Sequence, residues 1–209
     1  MAPEQHNQNE GGEAMSEKQK LWEEKRKDID AIADARGKGI DESIKETIIV
    51  LQLLGLNTTE SSEGSLEEMY ASPYVIFKPT GSEIEELEQK HQKLVEKMIA
   101  VEDESEEDEL KRDEIAHEMN LNERKMGRLR ALELKKLLPY LEEFYEDRKT
   151  SPERRFIINP HRIYHGIMLP QGSMFQAAEN EDTQAERLKE YQEEMRDFTQ
   201  FLKQKFFAE

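Results

Sequence analysis

Apolar residues recur at helical spacing in the first quarter of the chain and predict two helices there. The first is predicted over residues 17 to about 34, where glycines interrupt the pattern. The second is predicted to begin after Asp41 as its N-cap and to end at Gly55, a common C-cap residue. The segment SIKETIIVLQLLG of this second helix is the most apolar of the chain. We therefore expect it to be the core helix.

Four short segments rich in β-branched and aromatic residues predict strands. They begin around Thr58 and Thr59, continue with YVIF after Pro73, and include RRFIINP (residues 154–160) and RIYHGIMLP (residues 162–170). The last two are predicted to be joined by a tight Asn-Pro-His turn. One apolar helix and four short strands predict an α+β fold with a small antiparallel sheet.

The middle of the chain carries a heptad pattern. Ser82, with Glu85 three residues later, predicts a capping box at its start. Seam positions then follow at spacings of three and four: Ile84, Leu87, His91, Leu94, Met98 and Val101. The acidic run EDESEEDE at residues 102–109 predicts a turn, after which a second stripe follows: Ile115, Met119, Met126, Leu129 and Leu132. These features predict an antiparallel helical hairpin inserted over residues 81–149, which kinks or restarts at Pro139 before it returns to the core.

The remaining chain completes the predicted organisation. Residues 1–16 are expected to be a disordered tail, and residues 17–80 and 150–209 to form the α+β core. A last amphipathic helix is predicted from about residue 183 to 207, with an apolar stripe: Leu188, Tyr191, Met195, Phe198 and Leu202. The stripe needs a covering surface, which is the hairpin, the sheet or a second chain. The sequence leaves these three open.

Composition limits the possible partners. The net charge of −17 disfavours nucleic acid and anionic membranes, because both repel an acidic surface. The absence of cysteine excludes thiolate sites, and no apolar run or signal-peptide pattern is present, so a cytoplasmic location is expected. No metal site is predicted: His161 and His165 stand four apart in a strand context, roughly 13 Å from one another. No cofactor motif is present either.

The segment TTESSEGSLEEMYASPYVIF raises the one chemical question. With the apolar helix before it, the segment resembles a group of bacterial, candidate-phylum-like and phage proteins. Their pattern is Ser-Cys-Glu-Gly-His or Cys-Ser-Gly-His followed by Pro-Tyr-Ile-x-Phe. The resemblance also covers FYEDR at residues 144–148 and the aromatic C-terminal helix. The group implies a fold rather than an activity, and Ser62 and Ser65 here replace its Cys and His. If relatives use that pair for metal or nucleophilic chemistry, this chain has lost it.

Two functions are therefore carried forward. The first is a non-catalytic protein-interaction or self-association module that uses the C-terminal stripe. Self-association would give a homodimer. The alternative is a small-molecule- or nucleotide-binding domain, acting either as a binding module or as an enzyme. Its pocket would include the turn residues Thr58, Thr59, Ser62, Glu63 and Ser65. An anionic group of its ligand would face three arginines: Arg154, Arg155 and Arg162. No catalytic residue is predicted.

Overall fold

The computed structural model describes residues 15–33, 37, 39–67, 71–101, 105–159, 166–174 and 176–208. Its helices are α1 (Glu17–Asp30), α2 (Glu42–Leu53), α3 (Ser82–Ala100), α4 (Glu106–Lys135), α5 (Leu138–Glu146) and α6 (Glu181–Ala208). Its strands are β1 (Thr58–Ser62), β2 (Tyr74–Phe77), β3 (Phe156–Asn159) and β4 (Ile167–Pro170). Short 3₁₀ helices at Pro152–Arg154, Gln171–Met174 and Gln176–Ala178 connect the later elements.

The four strands form one antiparallel sheet in the order β1-β2-β4-β3. The predicted α+β fold is confirmed, with β1 and β3 at the two edges. Helices α3, α4 and α5 lie between β2 and β3 in the chain, so the sheet is assembled from segments far apart in sequence. The predicted turn between β3 and β4, with His161 and His165, lies outside the described residues.

The main core lies between α2, α6 and one face of the sheet. Helix α2 is buried along most of its length because its apolar residues cover more than one face, as predicted for a core helix. Thr47 of α2 and Thr199 of α6 share a buried hydrogen bond of 2.6 Å. The sheet contributes four buried side chains to this core: Val75, Phe77, Phe156 and Met168.

Two predicted helix starts are corrected. The N-cap of α3 is Gly81 at φ 117°, with Ser82 already helical, so the predicted capping box is wrong. The acidic run is not simply a turn, because its second half forms the first turn of α4. Ser105 caps that helix by accepting a hydrogen bond from the Asp108 backbone N–H. Acidic side chains at a helix N-terminus are stabilised by the helix dipole, which explains why they belong to the helix.

Helices α3 and α4 form the predicted antiparallel hairpin. Buried Asn122 donates its Nδ2 hydrogen bond to the Leu87 carbonyl oxygen at 2.7 Å, and Lys90 faces Glu118 at 3.7 Å. Leu132 was expected in the seam but is 53% exposed, whereas Met126 is buried, so the prediction for Leu132 is wrong. No helix in the described part of the chain is long and apolar enough to cross a bilayer.

Candidate functional site

The turn after β1 is a structural corner. Gly64 adopts φ 85°, a conformation that favours glycine, and its N–H donates to Ser62 Oγ at 3.0 Å. A Cβ at this position would lie 2.7 Å from the Ala71 carbonyl oxygen and the Pro73 nitrogen. The chain must therefore have glycine here to let two backbone segments approach.

The polar groups of the turn are already engaged in the fold. The Glu63 carboxylate accepts a hydrogen bond from Ser43 Oγ, and its carbonyl oxygen accepts one from Gln192 Nε2 at 3.1 Å. Ser65 Oγ accepts from the Glu67 N–H at 3.3 Å and lies outside the groove described below. Among the described residues no group of three or more metal-ligating side chains converges. The turn thus ties β1 to α2 and α6.

A groove runs along β1, and we call it the β1 groove. All five residues of the strand line it, including the predicted Thr58, Thr59 and Ser62. Its floor is α2, through Ile48 and Gln52. The opposite wall is formed by described residues at and after the end of α1: Ile29, Ile32, Ala33, Gly39, Ile40 and Asp41. The volume is about 460 Å³. The remaining lining residues are Glu60, Ser61 and Tyr74.

Among the described residues, no strand pairs with the outer edge of β1, and this edge faces the groove. The Lys78 N–H donates to Asn57 on the β1 side, whereas the Phe77 N–H donates to Gly166 on the β4 side. Backbone groups alternate between the two sides of an antiparallel strand. Even-numbered β2 residues therefore face β1 and bond their paired residues Glu60 and Ser62. It follows that the N–H and C=O of Ser61 point away from β2, towards the open edge.

The predicted arginines do not reach this site. Arg154 is not in a strand but ends a 3₁₀ helix just before β3, at the opposite edge of the sheet. Three strand spacings separate the edges, or roughly 14 Å. Arg155 donates to the Thr150 carbonyl oxygen at 3.1 Å and stacks over Tyr145. Arg162 lies outside the described residues. The predicted convergence of Arg154 and Arg155 on the Glu63 turn is wrong, because two strands lie between them.

Arg154 instead belongs to a buried charge network with α6. Glu194 is fully buried, and its Oε2 lies 3.4 Å from the Nη2 atoms of both Arg148 and Arg154. Arg148 also contacts Asp197 at 2.8 Å. These arginines neutralise an interior carboxylate, and the open pocket of about 580 Å³ beside them is separate from the β1 groove.

The FYEDR segment has a structural role within the same network. The Tyr145 hydroxyl accepts a hydrogen bond from the Phe156 N–H at 2.9 Å. Burial raises the pKa of Tyr145, and the nearby Glu194 carboxylate adds to this shift. Tyr145 therefore joins α5 to β3 as a neutral hydrogen-bonding group.

The C-terminal stripe is covered by the chain itself. Tyr191, Met195, Phe198 and Leu202 are buried, and Leu188 is half-buried. The Phe198 ring lies 5.0 Å from that of Phe144 and 5.6 Å from that of Phe156. The prediction that these residues form a partner-binding surface is corrected, since the core and α5 already occupy that face.

Sequence reasoning missed the wall of the groove that α1 provides. Ile32 fits the apolar stripe of α1, but the helix ends at Asp30 and leaves Ile32 47% exposed at the groove. The relevant signal was the Gly-rich segment that follows, which ends the helix early. No protein-family model, curated protein or solved structure matches this chain, so the groove and its residues are the basis for proposing a function.

Proposed function

We propose that this protein is a non-catalytic interaction module that binds an extended segment of another polypeptide along β1. The observation that carries the proposal is the position of β1, an edge strand with a groove along all five of its residues. An extended peptide can add to such an edge through main-chain hydrogen bonds and place alternate side chains in neighbouring pockets.

The orientation of the strand supports this mode. The Ser61 N–H and C=O offer one donor and one acceptor at the open edge, as a bound strand requires. The bulge between Thr58 and Glu60 locally changes the strand's course beside the groove. Ile32 and half-buried Ile40 provide apolar surface for side chains of the partner.

The alternative ligand is a small molecule, for which the groove volume of about 460 Å³ is sufficient. A nucleotide or other anion is disfavoured because the described lining residues include no Lys, Arg or His. The engaged side chains of Ser62, Glu63 and Ser65 also favour binding without catalysis, since none is placed with a general base.

The experiment is an unbiased selection of binders from a random twelve-residue peptide library, followed by NMR mapping on ¹⁵N-labelled protein. The expected result is that selected peptides shift and protect the amides of Thr58–Ser62, with the Ser61 amide among the most protected. Peptides that map elsewhere, or a library that yields no binder, would contradict the proposal.

A matched pair of variants isolates the backbone contact. Ser61→Pro removes an N–H that does not bond β2, and proline is tolerated at edge strands in this orientation. Ser61→Ala keeps the N–H and removes only the hydroxyl. We expect Ser61→Pro to weaken the selected peptides at least tenfold and Ser61→Ala to change their affinity less than twofold. Circular dichroism of both variants checks that the sheet persists, and equal binding by both would rule out strand addition.

A further inference from the structure

We infer that the polypeptide bound in the β1 groove is basic: an extended strand in which Lys or Arg alternates with aliphatic residues. This inference rests on the proposed function and adds the chemistry of the partner. Its basis is the different character of the two sides of β1 where a further strand would lie.

The two sides follow from the register. Glu60 pairs with Ile76 and Ser61 with Val75, and directly paired residues of an antiparallel sheet point to the same face. Val75 belongs to the core beneath α2, whereas Ile76 belongs to the cluster on the opposite face. Glu60 therefore projects on the face away from α2, and Ser61 projects towards α2.

The side chains of an added strand would also lie on these two faces, because successive side chains of a strand alternate between the faces of the sheet. Side chains of the added strand on the α2 side contact Ile32 and Ile40 in the groove, which have accessible apolar surface. Side chains on the other side lie across from Glu60, which is exposed. An aliphatic residue suits the first position and a cation the second.

Charge over a longer range favours the same partner. The charged residues among the described lining positions are Asp41 and Glu60, both acidic. The whole chain carries a net charge of −17, which attracts a cationic segment and repels an acidic one.

The chain's own N-terminal segment does not have this chemistry. Residues 1–14 contain Glu4, Glu10 and Glu13 and neither Lys nor Arg. The β1 strand of a second copy does not have it either, because TTESS contains Glu60 and no Lys or Arg. The charge pattern thus favours a different polypeptide.

The test uses three synthetic eight-residue peptides in which valine alternates with Lys, Gln or Glu, each with a fluorescent label. Fluorescence anisotropy measures their dissociation constants for the wild-type protein and for Glu60→Lys. A control variant, Glu186→Lys, makes the same charge change at an exposed position of α6 outside the groove.

We expect wild type to bind the Lys peptide more tightly than the Gln peptide, and the Gln peptide more tightly than the Glu peptide. Each cross-strand charge pair should contribute about two- to fivefold, and the differences should shrink at high salt. Glu60→Lys should reverse the order, whereas Glu186→Lys should retain it.

The failure of this inference is distinguishable from failure of the proposed function. If library-selected peptides map to β1 but show no preference for cations, the basic partner is wrong and strand addition stands. If no peptide maps to β1, both are wrong. Dimerisation of the protein alone that Ser61→Pro abolishes would assign the groove to a second copy and overturn the inference.

Discussion

The apolar stripe of α6 and the polar strand β1 were both candidates for contact with a partner, and they differ in what the fold leaves exposed. Phe198 and Leu202 of the stripe are fully buried, while Thr59 and Glu60 of β1 are exposed at a sheet edge. The apolar stripe of α6 is buried in the chain's own core, because burial of apolar surface is the dominant favourable contribution to the free energy of folding. What remains open is backbone hydrogen-bonding capacity, which the core cannot satisfy at the last strand.

The largest effect is expected from removing a ring of the buried stripe. Phe198→Ala should lower the free energy of unfolding by about 3–5 kcal/mol, because it leaves a cavity between Phe144 and Phe156. Urea denaturation followed by circular dichroism measures it. Phe207→Ala, at a position 42% exposed on the same helix, is the control and should cost less than about 1.5 kcal/mol. Equal losses would mean that the stripe is not the core.

The buried carboxylate of α6 should have the next largest effect. Glu194→Gln leaves Arg148 and Arg154 without their buried counter-charge and should cost about 2–4 kcal/mol of unfolding free energy. The exposed neighbour Glu193→Gln should change it by less than about 0.5 kcal/mol. A Glu194→Gln protein as stable as wild type would show that the network is not needed for folding.

Near β1, alanine substitutions at two glycines with positive φ distinguish the cost of backbone strain from the cost of steric crowding. Gly64→Ala should cost about 2–3 kcal/mol, since a left-handed conformation costs about 1–2 kcal/mol and its Cβ would also meet backbone. Gly55→Ala, at φ 78° with open space around it, should cost only about 1 kcal/mol. Thermal unfolding of the two variants compares them. A difference near zero would remove the argument for a tight corner.

A smaller effect, with a pH signature, is expected at Tyr145. Tyr145→Phe removes the acceptor of the Phe156 N–H and should cost about 1–2 kcal/mol at neutral pH. Because burial raises the pKa of Tyr145, its contribution is complete below about pH 10, the pKa of unfolded tyrosine, and declines as pH rises further. The wild type should therefore lose stability above about pH 10 more steeply than Tyr145→Phe. Parallel profiles from pH 9 to 11 would contradict this.

The smallest effect on stability is expected in the groove, where the effect on binding is large. Ile32→Gln should change the unfolding free energy by less than about 0.5 kcal/mol, because Ile32 is 47% exposed. The same variant should weaken peptides selected by wild type about tenfold, since it removes apolar wall surface. Ile99→Gln, 80% exposed on the hairpin, is the matched control and should leave binding unchanged.

Local patterning was sufficient for most elements. The apolar run of α2, the strand YVIF, the break at Pro139 and the stripe of α6 all predicted elements that the structure has. These succeed because periodicity and turn residues act within a few positions of the chain. The predictions were less accurate for the C-terminus of α1 and for the N-cap of α3. The ends of helices are decided by tertiary contacts as well as by local sequence.

The candidate site was predicted only in part. Thr58, Thr59 and Ser62 do line the groove, but Arg154 and Arg155 are at the far edge of the sheet. Four strands permit several orders, and nothing local to Arg154 specifies that β4 rather than β3 pairs with β2. The contribution of α1 to the groove was missed because it also depends on tertiary packing. From the sequence alone, the helical spacing of Ile32 predicts a core residue.

The sequence by itself thus determined which segments are helices and strands, the α+β class and the acidic character of the surface. Only the tertiary structure decided the strand order, the burial of the α6 stripe and the exposure of the β1 edge. Secondary structure follows from short-range periodicity and backbone conformational preferences. The choice of which apolar face is covered, and which strand is left at the edge, is made by contacts between residues distant in the chain, such as Thr47 with Thr199 and Val75 with Met168.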